Sequence, residues 1–136
     1  MTTAVIAIFD IGKTNKKFFL LDEGYKIVLE RSVQFDEISD EDGDACDDVN
    51  RLSQWVIKTL TEIIQAPEFD IRAVNFSAYG ASLVYIDEQG KVLAPLYNYL
   101  KAYPEAVRKE LYDKYGGAEK ISCETASPVL GSLNSG

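Results

Sequence analysis

Two short apolar runs joined by a tight polar turn open this chain, and they constrain its fold more than any other feature. The first run, at 4–9, reads Ala-Val-Ile-Ala-Ile-Phe, and the second, at 18–21, reads Phe-Phe-Leu-Leu. Short apolar runs bounded by polar and glycine residues are typical of buried strands. Asp10, Ile11 and Gly12 follow the first run directly. The pattern therefore predicts a β-hairpin whose tight turn includes Ile11 and Gly12.

The residues Gly12-Lys13-Thr14 match the end of a Walker A phosphate loop, and counting tests that match. The first glycine of such a loop would stand at position 7, which is Ala7 inside the first apolar run. A Walker A loop wraps its backbone N–H groups around phosphates, and a buried strand cannot do this. The sequence therefore excludes a P-loop at this position.

The same turn still carries groups that suit a phosphate. Its polar side chains offer hydrogen bonds or positive charge: Lys13, Thr14, Asn15, Lys16 and Lys17. Gly12 allows a close approach of the backbone. Asp10 would repel a phosphate unless a hard cation lay between them, and Mg²⁺ is bound in this way through a carboxylate and water. An ordinary hairpin with solvated lysines is the alternative, and the composition leaves both open.

Beyond the hairpin, the pattern predicts further strands at 25–33, 71–78 and 83–86. A helix is predicted between the strands at 25–33 and 71–78, with Asp47 and Asp48 as N-terminal caps and an end before Pro67. Apolar residues recur on one face of this helix: Val49, Leu52, Val56, Leu60, Ile63 and Ile64. Trp55 borders that face and is expected to pack there. A second helix is predicted at 105–115, because Pro104 precedes it and two glycines follow it.

The negative charge of the chain is concentrated in one stretch, 36–48. The net charge is −8, and eight of the 22 acidic residues lie there without a basic residue between them, which leaves 14 acids against 14 bases elsewhere. An EF-hand would need glycine and glutamate where Ala45 and Arg51 stand, so a solvated loop is favoured over a calcium site. The excess of acids also argues against nucleic acid as a partner.

The composition favours one domain in the cytoplasm. With 46% hydrophobic and 26% charged residues, 136 residues can form an ordinary core. The start at Met1 lacks a signal-peptide pattern and no apolar run approaches the length of a membrane span, which argues against secretion and against a membrane partner. Cys46 and Cys123 are expected to be reduced thiols. Because the chain has no histidine, proton transfer would need another group.

Two stretches carry a resemblance to a known family. Residues 9–17, Phe-Asp-Ile-Gly-Lys-Thr-Asn-Lys-Lys, resemble the first phosphate motif (D-x-G-x-[TS]) of the actin-like ATPase superfamily. Residues 71–95 are similar to the FGGY carbohydrate kinases, in which a strand ends in a small polar turn and a second strand runs into a D-x-x-G turn and a V-L-x-P segment. The resemblance spans about 4–136. It implies an α/β fold: a ribonuclease-H-like half-domain whose mixed sheet opens with three antiparallel strands, followed by a helix and a further strand.

The resemblance also implies an activity and a set of site residues. Such kinases transfer the γ-phosphoryl group of ATP to a sugar or polyol hydroxyl. Asp10 would organise Mg²⁺ and its waters, and ATP phosphates would be approached by Gly12, Lys13, Thr14, Asn15 and Lys17. The sugar would be contacted by Tyr79, Gly80, Ser82, Asn98 and Tyr99. Tyr79 would stack on the sugar and Ser82 would bond a hydroxyl, with hairpin packing as the alternative for both.

The region around Tyr79 resembles that of kinases acting on deoxy-ketoses, so fuculose or rhamnulose is the suggested substrate. Leu100 stands near the position where the family usually has aspartate, and that departure puts ordinary sugar specificity in doubt. FGGY kinases have two domains and several hundred residues. We therefore expect 1–136 to be the N-terminal portion of the first domain, a fragment that is inactive alone. The resemblance assigns no catalytic residue to it, because the general-base aspartate is expected beyond the fragment.

Two other functions stay open at this stage. Another actin-like ATPase module would share the Asp10 turn, and a non-enzymatic interaction domain would use the acidic stretch. The sequence also leaves a homodimer open.

Overall fold

The computed structural model describes residues 2–129, which divide into two compact units. The first unit contains the chain up to Ile38 together with Asp47–Tyr79, and the second contains Ser39–Cys46 and the chain from Gly80 onward. In chain order the elements are β1 (Thr3–Ile11), β2 (Asn15–Leu21), β3 (Ile27–Gln34), β4 (Ile38–Ser39), β5 (Ala45–Cys46), α1 (Val49–Ile64), β6 (Phe69–Ala78), α2 (Glu105–Tyr115) and α3 (Ala118–Thr125).

The first unit is built on a four-stranded sheet in the order β3-β2-β1-β6. The first three strands pair antiparallel, whereas β6 lies parallel to β1. A parallel pair needs a crossover connection, and α1 supplies it. The predicted opening of a mixed sheet, three antiparallel strands followed by a helix and a strand, is confirmed. The third strand begins at Ile27, because Tyr25 lies in a turn with a positive φ of 61°. Its predicted start at position 25 was wrong.

The core of this unit lies between one face of the sheet and α1. Val5, Ala7 and Phe9 alternate towards that face, and Phe18 and Leu20 join them from β2. The Phe9 ring lies 5.4 Å from the Trp55 ring of α1, so Trp55 packs in the core as predicted. Burying each large apolar side chain contributes about 1.5–3 kcal/mol. This packing fixes the end of β1, where the candidate site begins.

The predicted start of helix α1 is confirmed, whereas the predicted roles of Asp47 and Ile64 were wrong. The Asp48 carboxylate caps it by accepting a hydrogen bond from the Arg51 N–H at 2.9 Å. Asp47, also predicted as a cap, instead accepts a hydrogen bond from the Tyr79 hydroxyl. Ile63 is buried, but Ile64 is 66% exposed, so its predicted place on the buried face was wrong. Adjacent helical residues point about 100° apart, and the sheet covers one of these two directions.

The second unit contains β5, α2 and α3, together with Ser39 of β4. The predicted bounds of α2 are confirmed, and Gly116 ends the helix with a φ of 90°. The helix α3 was not predicted. The predicted strand at 83–86 was wrong, because only an isolated bridge between Ile86 and Val92 forms there. Without a neighbouring ladder, the apolar side chains of this stretch stay exposed. In the described part of the chain, no helix has the length and apolar character to cross a bilayer.

Candidate functional site

The turn between β1 and β2 is the tight connection that the sequence predicts. The Gly12 N–H donates to the Asn15 carbonyl at 3.0 Å, which leaves Lys13 and Thr14 at the tip. A Cβ atom on Gly12 would lie 2.8 Å from the Asn15 carbonyl oxygen, closer than real side chains approach backbone. Glycine is therefore required here by the hairpin itself. The backbone that a phosphate would meet is held in one conformation.

Asp10 ends up on the face of the sheet opposite α1. Phe9 points into the core, and successive side chains of a strand point to opposite faces. In the sheet register, Asp10 lies between Lys17 on β2 and Ser77 on β6. The Lys17 Nζ atom pairs at 3.7 Å with the carboxylate of Glu30. Within residues 2–129, the half-buried Asp10 carboxylate has neither a hydrogen bond nor an ion pair.

A half-buried carboxylate without a protein partner fits a hard cation. Mg²⁺ is usually held by one or two carboxylates, with waters and substrate phosphates in its other positions. The described residues contain no group of three or more His, Cys, Asp or Glu side chains placed to hold a metal. The donor set present at Asp10 therefore fits Mg²⁺ that arrives with a nucleotide, and it does not fit a metal held by protein ligands alone.

The three lysines of the turn lie in different environments. Lys16 is 2% exposed, and its Nζ atom donates to the Lys13 carbonyl at 2.6 Å, so it stabilises the turn from inside. The Nζ atom of Lys13 lies 3.5 Å from the Glu37 carboxylate. Lys13 and Lys17 both remain partly exposed, and ion pairs in such positions are weak. Their charges therefore remain accessible to an anion.

The hydroxyl and amide side chains of the turn also differ. Thr14 lies exposed at the tip, and its hydroxyl has no hydrogen bond in the part of the chain described. The Asn15 Oδ1 atom accepts from the Gln34 Nε2 atom at 2.7 Å. Thr14 is therefore free to bond a phosphate oxygen, whereas the Asn15 side chain fastens β2 to β3.

Tyr79, predicted to stack on a sugar, makes two bonds inside the first unit. Its N–H donates to the Ile11 carbonyl at 3.0 Å, and its hydroxyl donates to the Asp47 carboxylate at 2.7 Å. These bonds tie the end of β6 to the end of β1 and to the chain entering α1. They give Tyr79 a structural role at the edge of the turn, and its stacking on a sugar stays a prediction.

In the second unit, the predicted sugar-contacting turn at 80–82 carries two costly features. Ala81 has a φ of 56°, which is uncommon for a residue with a Cβ atom. The Ser82 Oγ atom is buried and has no hydrogen-bond partner among the described residues. A buried hydroxyl without a partner costs about 1–3 kcal/mol. Strain and orphaned polar atoms are often found at binding sites, although the sugar contact of Gly80 and Ser82 stays a prediction.

The other two predicted sugar residues lie in a second turn of this unit. Asn98 is 7% exposed, and its Oδ1 atom accepts from the Leu100 N–H at 2.8 Å while its carbonyl accepts from the Lys101 N–H at 3.1 Å. Tyr99 is half-buried beside it. The Asn98 oxygen thus shapes the turn that presents Tyr99, and contact of either residue with a sugar stays a prediction.

A network that the sequence did not predict involves the acidic loop, defined here as residues 40–44. The Tyr97 hydroxyl donates to the Asp40 carboxylate, and the Lys101 Nζ atom donates to the Asp44 carboxylate at 2.6 Å. The Tyr97 hydrogen bond lowers the pKa of Asp40, and the same bond raises the pKa of Tyr97. The hydrogen bond to Asp44 raises the pKa of Lys101. The partners stand 57 positions apart, so no local pattern could reveal them.

Comparison with known proteins places these features in a family. Residues 5–127 match the model described as the FGGY family of carbohydrate kinases, N-terminal domain. The gluconokinase of Bacillus subtilis (strain 168) is 28% identical over 130 residues, which cover 95% of this chain and 25% of that protein. The chain therefore spans about a quarter of the length of this relative.

Solved structures show the same fold at lower identity. Gluconate kinase from Lactobacillus acidophilus superposes with a TM-score of 0.67 at 22% identity, over 90% of this chain and 25% of that chain. Xylulose kinase from Rhodospirillum rubrum superposes with a TM-score of 0.70 at 18% identity, over 87% of this chain and 25% of that chain. Plasmodium falciparum glycerol kinase with ADP superposes with a TM-score of 0.63 at 20% identity, over 89% of this chain and 25% of that chain. The fold is that of sugar-kinase N-terminal half-domains of the actin-like ATPase type, and the chain belongs to the FGGY family of carbohydrate kinases.

Proposed function

We propose that this chain is the N-terminal portion of the first domain of a kinase that transfers the γ-phosphoryl group of ATP to a hydroxyl of a sugar or polyol. The observation that carries this proposal is the Asp10 carboxylate, half-buried and without a partner in residues 2–129, beside the constrained turn at Gly12. The family match over residues 5–127 supports it, and it favours this activity over another actin-like ATPase or an acidic interaction domain.

The chain's own residues would bind and orient phosphates. Enzymatic phosphoryl transfer depends mainly on positioning and on stabilising the charge of the transferred group. Asp10 would hold Mg²⁺, which when bound neutralises charge on the phosphate oxygens. The Thr14 hydroxyl and the backbone around Gly12 would donate hydrogen bonds, and Lys13 and Lys17 would add positive charge. The general base and the adenosine contacts are proposed to lie outside residues 1–136.

The substrate is proposed to be polyhydroxylated. The relatives named above are kinases of gluconate, xylulose and glycerol, molecules that share adjacent hydroxyl groups. Fuculose and rhamnulose, suggested by the sequence resemblance, have no counterpart among those relatives. The proposed sugar contacts are Gly80, Ser82, Asn98 and Tyr99, with Tyr79 at the edge of the turn.

We place this kinase in the cytoplasm, where ATP is available and thiols stay reduced. Cys46 and Cys123 are not joined in a disulfide, which is compatible with that compartment. Nucleic acid and membranes are not proposed as partners, and the homodimer stays a prediction.

The proposed function is tested with the complete kinase that contains this chain. We expect ADP release that depends on ATP, Mg²⁺ and one substrate of a panel of gluconate, xylulose, glycerol, fuculose and rhamnulose. The chain of residues 1–136 alone, prepared free of other kinases, should release no ADP with any of them. Sugar-independent ATP hydrolysis in the complete protein would favour a different actin-like ATPase, and an absence of nucleotide binding would overturn the proposal.

A further inference from the structure

The acidic loop is fastened to a segment that carries two of the proposed sugar contacts. The Tyr97 hydroxyl donates to Asp40, and Lys101 donates to Asp44 at 2.6 Å. The Lys101 Nζ atom also lies 3.4 Å from the centre of the Tyr97 ring, which is within cation–π range. These four side chains, Asp40, Asp44, Tyr97 and Lys101, are called the clamp below.

The loop side of the clamp is preorganised by its own backbone. The Asp40 Oδ1 atom accepts from the N–H groups of Asp42 and Asp44 at 3.0 and 2.8 Å, and its Oδ2 atom accepts from Tyr97. The Asp40 N–H also bonds the Asp44 carbonyl at 3.0 Å. One carboxylate therefore closes the loop and holds Tyr97 at the same time. A loop that was merely solvated would not need a fixed turn with a partner at each end.

The segment side of the clamp encloses the turn at Asn98. Tyr97 and Lys101 flank Asn98, Tyr99 and Leu100, so both ends of this turn are held by the acidic loop. Inside it, the Asn98 Oδ1 atom accepts from the Leu100 N–H at 2.8 Å. With its ends and its centre bonded, the turn presents Asn98 and Tyr99 in one orientation. Described residues 80–104 contain no strand or helix, so no regular element holds this turn in place.

We propose that the clamp positions Asn98 and Tyr99 for the sugar, so that Asp40, Asp44, Tyr97 and Lys101 are positioning residues that set sugar affinity. This inference rests on the proposed function, since it assigns a role within that sugar site. Because Tyr97 and Lys101 flank the turn and both clamp bonds lie within one unit, the affinity for the sugar should depend on them, whereas the affinity for ATP should not. The raised pKa of Lys101, caused mainly by its hydrogen bond to Asp44, agrees with a bond that persists at neutral pH.

The experiment compares matched variants of the complete kinase. Tyr97→Phe removes the hydroxyl that holds Asp40, and its control is Tyr103→Phe, which removes a tyrosine hydroxyl from an exposed residue of the same unit. Lys101→Met removes the ammonium group that holds Asp44, and its control is Lys91→Met, another lysine of that unit that forms no ion pair among the described residues. Lys101→Arg keeps the charge and can keep both contacts.

We expect Tyr97→Phe and Lys101→Met each to raise KM for the sugar by about three- to tenfold, because one charge-assisted contact is lost. The KM for ATP should stay within about twofold of the wild-type value. Lys101→Arg and both controls should keep the wild-type KM for the sugar. In the 136-residue chain, amide hydrogen exchange at 98–101 should accelerate in the two clamp variants and not in the controls.

Failure of this inference is distinguishable from failure of the proposed function. If the wild type and both controls phosphorylate no sugar, the proposed function is wrong and this inference falls with it. If they do, and the clamp variants melt earlier yet keep the wild-type KM for the sugar, the clamp is structural only and the inference is overturned. A KM for ATP that rises as much as the KM for the sugar would also overturn it.

Discussion

The turn at 10–17 and the segment at 80–101 hold their candidate site residues by different means. The turn is fixed by backbone: β1 and β2 pair along six register positions, and the Gly12 N–H closes the hairpin. The segment has one isolated bridge, between Ile86 and Val92, and a few backbone hydrogen bonds within turns, and it is fastened to the acidic loop by the side chains of Tyr97 and Lys101. Changes in side chains at the surface should therefore leave the turn in place, whereas they should displace the segment.

The carboxylates of Asp10 and Asp40 also differ in how they are bonded. Asp10 stands beside a rigid backbone and has no partner in residues 2–129, so it is available to a ligand. Asp40 accepts hydrogen bonds from two backbone N–H groups and from Tyr97, so its function is to hold structure. A carboxylate that stabilises the fold is matched by donors, and one that awaits a cation is not.

The largest expected effect comes from Asp10→Ala in the complete kinase. Turnover should fall by about a hundredfold or more, because a carboxylate that holds Mg²⁺ acts on charge that develops in the transition state. KM for the sugar should change little. The measurement is steady-state kinetics at saturating Mg²⁺. Glu23→Ala is the control, since it removes the same charge from an exposed residue of the next turn. Equal turnover in Asp10→Ala and wild type would place Asp10 outside the site.

The rigidity of the turn is tested by Gly12→Ala. The added methyl group would lie 2.8 Å from the Asn15 carbonyl oxygen, so the hairpin must distort. We expect the free energy of unfolding of the chain to fall by about 1–3 kcal/mol, as in other cases of overpacking. Urea unfolding of the 136-residue chain measures this.

The control for that variant is Gly80→Ala in the other region. A Cβ atom on Gly80 meets nothing within 4 Å, and its φ does not need glycine. Its unfolding free energy should change by less than about 0.5 kcal/mol or rise slightly. Equal losses for the two alanine variants would contradict the view that backbone fit holds one region and side-chain bonds hold the other.

The same contrast explains what the sequence could predict. The strands of the hairpin, the cap at Asp48 and the end of α2 at Gly116 depend on residues close in the chain, and local patterns revealed them. The strand at 83–86 was wrong because a strand also needs a partner, which no local pattern supplies. The clamp was missed for a related reason, since Asp40 and Tyr97 meet only after the chain has folded. Asp10 likewise lacks a partner among residues 2–129 because its register neighbour Lys17 pairs with Glu30 instead.

The Asp40–Tyr97 bond of the clamp should be insensitive to pH between about 4 and 10. The Tyr97 hydrogen bond lowers the pKa of Asp40 below the ordinary 3.8. The contribution of the ionised Asp40 to stability is therefore present above pH 3.8 and is lost as the pH falls through the lowered value. The same bond raises the pKa of Tyr97 above 10.0, so its contribution is present below pH 10 and is lost on further increase.

A titration of Tyr97 followed by carbon NMR of its ring tests this. The midpoint in the wild-type chain should lie above pH 10.0, and Asp40→Ala should move it back towards that value. Asp42→Ala is the control, because Asp42 lies in the same loop but the carboxylate that accepts the Tyr97 hydrogen bond is that of Asp40. A midpoint that moves equally in both variants would mean that the net charge of the loop, and not the hydrogen bond, shifts the pKa of Tyr97.

The smallest expected effect concerns Ser82, whose buried hydroxyl has no partner in the described residues. If this hydroxyl bonds the sugar, Ser82→Ala should reduce discrimination at one sugar hydroxyl by about two- to tenfold, the worth of one uncharged hydrogen bond. Because the variant loses no hydrogen bond among the described residues, its melting temperature should stay equal or rise. Kinetics with the substrate and its deoxy analogues, together with thermal unfolding, separate the two effects. A variant that melts earlier but ranks its sugars as the wild type does would show that Ser82 serves packing in the segment, and the sugar contact would be wrong.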